Sequence, residues 1–370
     1  FVSSMEDILD NDDIDIVVEL MGGEHPALEY ILGALNKGKH VVTANKEVMS
    51  KHGPKIFDVA KAKNVRVLFE ASVAGGTPII SPLMRDLVAN DIISIKAIIN
   101  GTTNYILSNM ATYKRAFSDV LEEAQALGYA ESDPFNDIEG VDAAYKLSIL
   151  STLAFRTPIN DSDVYREGIS RLGSEDFQYA DELGYSIKLL GIATREEDKV
   201  QVRVHPALVP AADSLAKVSG VLNAIEVETD LCEKVVFQGP GAGPMPTCSA
   251  VIADIVNIGR SATDASNFPD PVKLKNEVTL QPISELVSRY YLRLEVSDLP
   301  GVLAQIASIL GGKSISISTV VQKRANDRTR TAELVIMTHL CKEKDVRLAI
   351  QEIECLESLR SIGNIIRVSN

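Results

Sequence analysis

The sequence predicts an α/β protein in three parts: a parallel sheet with crossover helices, an α+β mixed sheet, and a small βαββαβ module. Three observations predict it. The first 75 residues alternate apolar runs of strand length with helical stretches, the pattern of parallel strands joined by right-handed crossovers. The middle of the chain is rich in strand-like runs, YSIKLLGIATREEDKVQVRVHPALVP, NAIEVET and KVVFQGPGAG, which a mixed sheet with helices on one face accommodates. The last part reads strand, helix, strand, strand, helix, strand, the split-βαβ order of ferredoxin-like domains.

In the first part DIVVEL (15–20) is a largely apolar strand, and PALEYILGALNKG (26–38) is helical, with Pro at its start and Gly at its end. HVVTAN (40–45) is a second strand, EVMSKHGPKIFDVAKAKN a helical stretch interrupted near Gly53-Pro54, and VRVLFEAS (65–72) a third strand. The loops LMGGEHPA and TANK leave the carboxyl ends of these strands, where open α/β sheets hold their ligands. Ahead of them lies an acidic helix-like stretch, SSMEDILDNDD, and a chain that opens at Phe1 looks joined in mid-domain.

In the second part DIISIKAIIN is a strand and GTTNYILSNM a helix capped by Thr102 or Thr103. The helix PTCSAVIADIVNIGRSA (246–262) returns to the first part, and the polar, Pro-containing TDASNFPDPVKLKNEVTLQPI is a linker. The parts are therefore 1–75 with 246–265, 76–245, a linker at 266–287, and the module at 288–370.

Composition narrows the function classes. A net charge of -14 with no clustered basic face argues against nucleic acid as a partner. No apolar run reaches about eighteen residues, which argues against a membrane span. Cys232, Cys248, Cys341 and Cys355 have neither C-x-x-C spacing nor His partners, so they read as reduced core residues of a cytoplasmic protein.

The stretch GYAESDPFNDIEGVDAAYKLSIL (128–150) carries the strongest chemistry. Four loop carboxylates, Glu131, Asp133, Asp137 and Glu139, precede an apolar helix whose only charges are Asp142 and Lys146. Residues four apart share a helix face, and an apolar surround buries them. A structural salt bridge is the plain alternative. The apolar flanks and the acidic loop tip the balance toward a site for a cationic, polar small molecule. Lys46, in Thr43-Ala44-Asn45-Lys46, starts a helix, an unfavourable place for a cation that favours a functional reading. The turn Gly239-Pro240-Gly241-Ala242-Gly243, at a strand-to-helix junction, suits an anion or a tight turn equally. In Glu70-Ala71-Ser72-Val73-Ala74-Gly75-Gly76-Thr77-Pro78 a carboxylate precedes a carbonyl-rich loop; it is either a hard-cation site or a Gly-Gly loop whose Glu70 caps the next helix.

VVELMGG, TANK, FEASVAGGTPI, NGTTNYIL, GYAESDPFNDIEGVDAAYKLSIL and GPGAGPMPT occur in the order and spacing seen in homoserine dehydrogenases, over roughly Asp15 to Ala262. The final module, with Asp298-Leu299-Pro300-Gly301-Val302-Leu303 at a strand-to-helix turn, resembles an ACT domain. The resemblance implies reversible, NAD- or NADP-dependent interconversion of L-homoserine and L-aspartate 4-semialdehyde, in threonine, methionine and isoleucine biosynthesis. By matching position, Lys146 is the general acid/base and Lys46 a second catalytic lysine. Glu131 holds the substrate ammonium, with Asp137, Asp142 and Thr102 in the substrate shell. Thr43, Ala44, Lys46, Gly128, Gly239, Gly241 and Gly243 contact the cofactor. Glu70, with the backbones of Val73, Gly75 and Thr77, matches a Na+ site, and Asp298, Pro300, Gly301 and Val302 an effector site for threonine. Pairing of such modules implies a homodimer or homotetramer.

The physics is consistent with these roles: reduction of an aldehyde leaves an alkoxide that a nearby ammonium stabilises and protonates. A second lysine is expected to depress the first one's pKa. The family's opening strand and G-x-G-x-x-G turn do not occur in the sequence, so its Rossmann-type sheet is expected to be incomplete. Competing readings are a catalytically silent amino-acid sensor, the dehydrogenase part of an aspartokinase fusion, and a dehydrogenase acting on aspartate.

Overall fold

A computed structural model describes residues 1–263, 274, 278–326 and 329–369. Most of the expected linker, 266–273 and 275–277, lies outside the described residues. After the short α1 (Glu6–Leu9), the first layer is β1 (Ile16–Glu19), α2 (Ala27–Asn36), β2 (His40–Thr43), α3 (Lys46–Ala62) and β3 (Val67–Leu68). Its three strands are parallel in the order β1-β2-β3. Ile31 and Leu35 of α2 and Ile56 of α3 are fully buried with Val41.

Two expectations fail locally. α3 runs unbroken through Gly53-Pro54, because Val48, Met49, Ile56 and Phe57 are buried on both sides of the proline. That burial outweighs the one backbone bond a proline removes. The third strand is only two residues long; the chain then tightens into a 3₁₀ turn, Glu70–Ser72, held by the Ser72 N–H and hydroxyl on the Phe69 carbonyl.

The second part contains β4 (Ile92–Ile98), α4 (Gly101–Tyr113), α5 (Phe117–Ala126), α6 (Phe135–Ile138), α7 (Val141–Phe155), β5 (Tyr165–Arg166) and α8 (Ser174–Glu182). There follow β6 (Tyr185–Glu196), β7 (Lys199–Pro210), β8 (Leu222–Thr229), β9 (Glu233–Pro240) and α9 (Pro244–Thr263). Ile106 and Leu107 of α4 and Leu147 and Leu150 of α7 pack on one sheet face with Ile95, Ile225 and Val204. α9 lies against the first layer, with Val251 and Ile258 buried on Val42. Asn100, not Thr102 or Thr103, caps α4: it is extended, and its side chain accepts the Thr103 N–H at 2.8 Å.

After β10 (Thr279–Leu280) and β11 (Val287–Ser288) comes the C-terminal module: β12 (Tyr290–Ser297), α10 (Val302–Gly312), β13 (Ile317–Asn326), β14 (Thr331–Thr338), β15 (Cys341–Lys342), α11 (Glu343–Glu354) and β16 (Leu359–Val368). Its strands run β13-β14-β12-β16, antiparallel throughout. The module is not a bead on a string. β16 pairs in parallel with β7, Arg367 with Ala207 and Val368 with Leu208, so one sheet continues through β7-β6-β4-β8-β9. Of the four cysteines, which the sequence suggested were core residues, only Cys341 is buried; the others are on the surface and all are unpaired.

Candidate active site

α7 begins after Gly140, whose φ of 74° turns the chain sharply out of the acidic loop. Asp142 falls in its first turn and Lys146 one turn later on the same face, as the four-residue spacing requires. Only 4% of the Asp142 side chain and 11% of Lys146 reach the surface. Lys146 Nζ donates to Asp142 Oδ2 at 2.6 Å and to the Ile99 carbonyl at the end of β4 at 2.9 Å.

The other carboxylate oxygen, Asp142 Oδ1, ion-pairs with Lys46, so one acid joins two lysines. Lys46 is the first residue of α3, and Asp142 explains a cation at that helix end. Asn100 closes the arrangement: its Nδ2 donates to Asp137 Oδ1 at 2.7 Å and to Asp142 Oδ2 at 2.9 Å, while its Oδ1 caps α4. Sequence reasoning missed both Asn100 and the Ile99 carbonyl. The Asn-Gly-Thr-Thr stretch before an apolar helical run was the available cap signal.

The electrostatics favours the charged form of Lys46. Burial alone would lower the Lys46 pKa, but Asp142, with Asp137 and Glu131 further off, leaves it above its ordinary value. At Lys46 the carboxylate between the two lysines dominates over burial. Asp142 is held well below the usual carboxylate range, because the two lysines outweigh its complete burial. Asp137 moves the other way, up, chiefly through burial and against the Asn100 hydrogen bond.

The remaining predicted residues divide. Glu131 is exposed on the acidic loop, within electrostatic range of Lys46. Thr102 Oγ1 donates to the Tyr129 carbonyl at 2.6 Å, fastening the start of α4 to the loop that follows Gly128. Gly128 itself has φ 75° just past α5, where a glycine ends a helix without strain. Thr43 Oγ1 donates to Glu19 Oε2 at 2.6 Å, and the Ala44 N–H to the Glu19 carbonyl. Asn45 caps α3 and donates to the Gly23 carbonyl at 2.8 Å, which ties TANK to the Gly22-Gly23 loop at the end of β1. A Cβ at Gly22 or Gly23 would meet nothing within 4 Å, so open, backbone-lined space lies at the carboxyl edge of this sheet.

The glycine-rich turn and the Glu70 loop are one packed unit. The Gly76 N–H donates to the Pro240 carbonyl at 3.2 Å, and a Cβ at Gly75 would sit 2.7 Å from the Gly241 carbonyl oxygen. A Cβ at Gly241 would overlap the Asn223 carboxamide, opposite Gly239 in the β8–β9 ladder, and Gly243 has φ 118°. Glu70 caps the turn that follows its loop. Its carboxylate accepts the N–H groups of Ile79 (2.7 Å), Ile80 (2.9 Å) and Ser81 (2.8 Å), which is the helix-capping alternative left open by the sequence. Val73 and Thr77 are buried in the same loop. Among the described residues no three His, Cys, Asp or Glu side chains cluster to hold a metal.

The Asp298–Val302 turn is elsewhere, between β12 and α10. Asp298, Pro300 and Gly301 are exposed, Gly301 with φ 90°, and Val302 is buried. The structure does not bring this turn to the Asp142 site.

Known proteins carry the same parts in the same order. A family model described as the NAD-binding domain of homoserine dehydrogenase matches residues 1–70, one described as homoserine dehydrogenase matches 78–256, and one described as ACT domain matches 290–357. A homoserine dehydrogenase of Neisseria gonorrhoeae is 47% identical over 100% of this chain and 86% of its own length. One of Pseudomonas aeruginosa is 45% identical over 98% of the chain and 84% of its own. A crystal structure of a homoserine dehydrogenase from Thiobacillus denitrificans superposes with a TM-score of 0.94 at 46% identity, covering 100% of this chain and 85% of that one. A hyperthermophilic archaeal homoserine dehydrogenase, solved in complex with NADPH, superposes at 0.63 with 29% identity over 73% of this chain and 77% of its own. No described helix is long and apolar enough to cross a membrane.

Proposed function

The chain belongs to the homoserine dehydrogenase family, and from that premise we propose how its residues divide the NAD(P)-dependent oxidoreduction. The observation that carries the reading is the buried Asp142 shared between the nearly buried Lys146 and the half-exposed Lys46. Lys146 is the general acid/base at the substrate's reacting oxygen: Asp142 and the Ile99 carbonyl fix its ammonium, and the apolar helix excludes water around it. Lys46, kept charged by Asp142, adds a second positive charge toward the alkoxide that forms on reduction.

Glu131 takes the substrate ammonium. Asp137 and Asp142, bridged by Asn100, and Thr102 complete the polar shell that selects an amino-acid alcohol over a plain aldehyde. Thr43, Ala44, Lys46 and the Gly239–Gly243 turn, with Gly128, hold the dinucleotide. The open space at Gly22 and Gly23 fits such a group. The bound dinucleotide supplies the hydride. A Na+ site would use Glu70 Oε2, which among the described residues accepts only the Ser81 N–H, with the backbones of Val73, Gly75 and Thr77; no step is routed through it.

Threonine inhibition through Asp298, Pro300, Gly301 and Val302 belongs to the same reading, and unchanged activity at saturating threonine would remove it. Because β7 occupies the β16 edge, pairing of modules into a homodimer or homotetramer would use β13. The chemistry suits the cytoplasm, where biosynthesis supplies the substrate. Following nicotinamide absorbance with L-homoserine tests the core of the proposal: turnover is expected, and its absence in protein that binds nucleotide would favour the silent amino-acid sensor.

A further inference from the structure

The acidic loop of the candidate site rests on a short segment, residues 165–169, that also meets the ACT module. β5 pairs in parallel with β7, Arg166 opposite Val204, and the Glu167 N–H donates to the Val204 carbonyl at 2.8 Å. Two residues on, the Ile169 N–H donates to the Ile138 carbonyl at the end of α6, also at 2.8 Å. Gly168 makes that approach possible: a Cβ there would sit 2.5 Å from the Ile138 carbonyl oxygen and 2.7 Å from Glu139 Cα. At the exit of the loop, a Cβ at Gly140 would meet Val204 Cγ1 at 3.1 Å and the Glu167 carbonyl oxygen at 3.6 Å.

The side chain of Glu167 turns to the other partner. Its carboxylate takes the Arg367 guanidinium as a two-pronged pair, Nη1 on Oε2 at 2.8 Å and Nη2 on Oε1 at 2.9 Å, and it accepts the Tyr165 hydroxyl. Arg367 belongs to β16, its side chain is 4% exposed, and its Nε donates to Glu343 Oε2 of α11 at 2.8 Å. Burial alone would raise the Glu167 pKa, but Arg367 leaves it below its ordinary value, so the pair is ionised. A forked pair fixes orientation as well as distance, which a single contact does not. A buried arginine thus ties β16 to a segment that ends, two residues later, on the backbone of Ile138, next to Asp137. Asp137 in turn accepts Asn100 Nδ2 at 2.7 Å, and Asn100 donates to Asp142.

We propose that Glu167, locked by Arg367, is a positioning residue for the substrate shell: it holds Gly168 and Ile169 against Ile138 and thereby sets where Asp137 stands. The last strand of the ACT module is then a support of the substrate site, and a shift of β16 reaches Asp137 without passing through the two lysines. The inference rests on the reading of Asp137 as part of that shell.

The test is steady-state kinetics of the full chain, with L-homoserine and the nucleotide, NAD+ or NADP+, varied in turn. Glu167→Gln should raise KM for homoserine about 3–30-fold, with kcat and KM for the nucleotide within about twofold of wild type. Arg367→Lys, which keeps the charge but not the fork, should show the same split on its own. Adding Glu167→Gln to Arg367→Lys should then change the homoserine KM by less than about twofold further. An unchanged homoserine KM in either single variant overturns the proposal, as does an equal rise for homoserine and nucleotide, the mark of a general loss of structure. Full multiplication of the two single effects in the double variant overturns it too, because Glu167 then acts independently of Arg367. Asp137→Asn separates the two layers. A raised homoserine KM there beside an unchanged one in Glu167→Gln ends this proposal alone, whereas an unchanged value in Asp137→Asn removes Asp137 from the shell and the proposal with it.

Discussion

At the start of α7 one carboxylate serves two lysines, whereas across the sheet Arg203 of β7 and Lys188 of β6 are buried with no direct carboxylate contact among the described residues. Both regions hide cations, but with opposite electrostatics. In the first, Asp142 keeps Lys46 charged and holds both lysines in place, so the burial cost is offset where a proton must be moved. In the second, neutral acceptors hold the cations: the Val218 carbonyl and Asn104 for Lys188, and Gln201 for Arg203. Burial then pushes Lys188 down to about 8 and Arg203 to about 10, with Arg367 contributing to the latter. The location of a buried charge is thus a weaker guide to chemistry than its partners are.

The comparison can be broken most decisively at Lys146. Lys146→Ala should lower kcat by about 10³–10⁴-fold while nucleotide binding, followed by fluorescence, stays near normal. A normal kcat would make the ion pair merely structural. Asp142→Asn leaves two lysines around a neutral amide and should cost about 3–5 kcal/mol in urea denaturation, besides activity. A loss below about 1 kcal/mol would mean the lysines do not depend on it.

Lys188→Met probes the uncompensated side. The folded-state pKa of Lys188 lies below its ordinary value of 10.5, so the fold favours the neutral form. That contribution is complete above about 10.5 and is lost as pH falls through about 8. Relative to Lys188→Met, the wild type should therefore gain about 1–3 kcal/mol between pH 7 and pH 10.5, and a flat difference would reveal a hidden counter-charge. Asn100→Ala is the mildest change, about 1–2 kcal/mol from a lost cap and two lost carboxylate contacts. Its signature is a rise in KM for homoserine with little change in KM for the nucleotide; equal changes in both would assign Asn100 a purely structural role.

Much of this was legible without coordinates, for reasons visible residue by residue. The order of elements followed from periodicity, and the βαββαβ module from the sequence of its strands and helices. The break foreseen at Gly53-Pro54 did not occur, because the flanking apolar residues of α3 are buried on both sides. Glu70 could be read as cation ligand or cap, and only the tertiary structure placed the Ile79, Ile80 and Ser81 amides on its carboxylate.

What the sequence by itself determined is local. Asp142 and Lys146 stand one helical turn apart, so their pairing is a consequence of helix geometry. The tertiary structure alone decided that Lys46 reaches the other oxygen of the same carboxylate, that Asn100 bridges Asp137 and Asp142, and that β16 extends the catalytic sheet at β7. The physical reason is that spacing along a chain constrains contacts within one turn or one strand. Contacts between elements far apart in sequence are set by strand register and by which apolar faces bury one another.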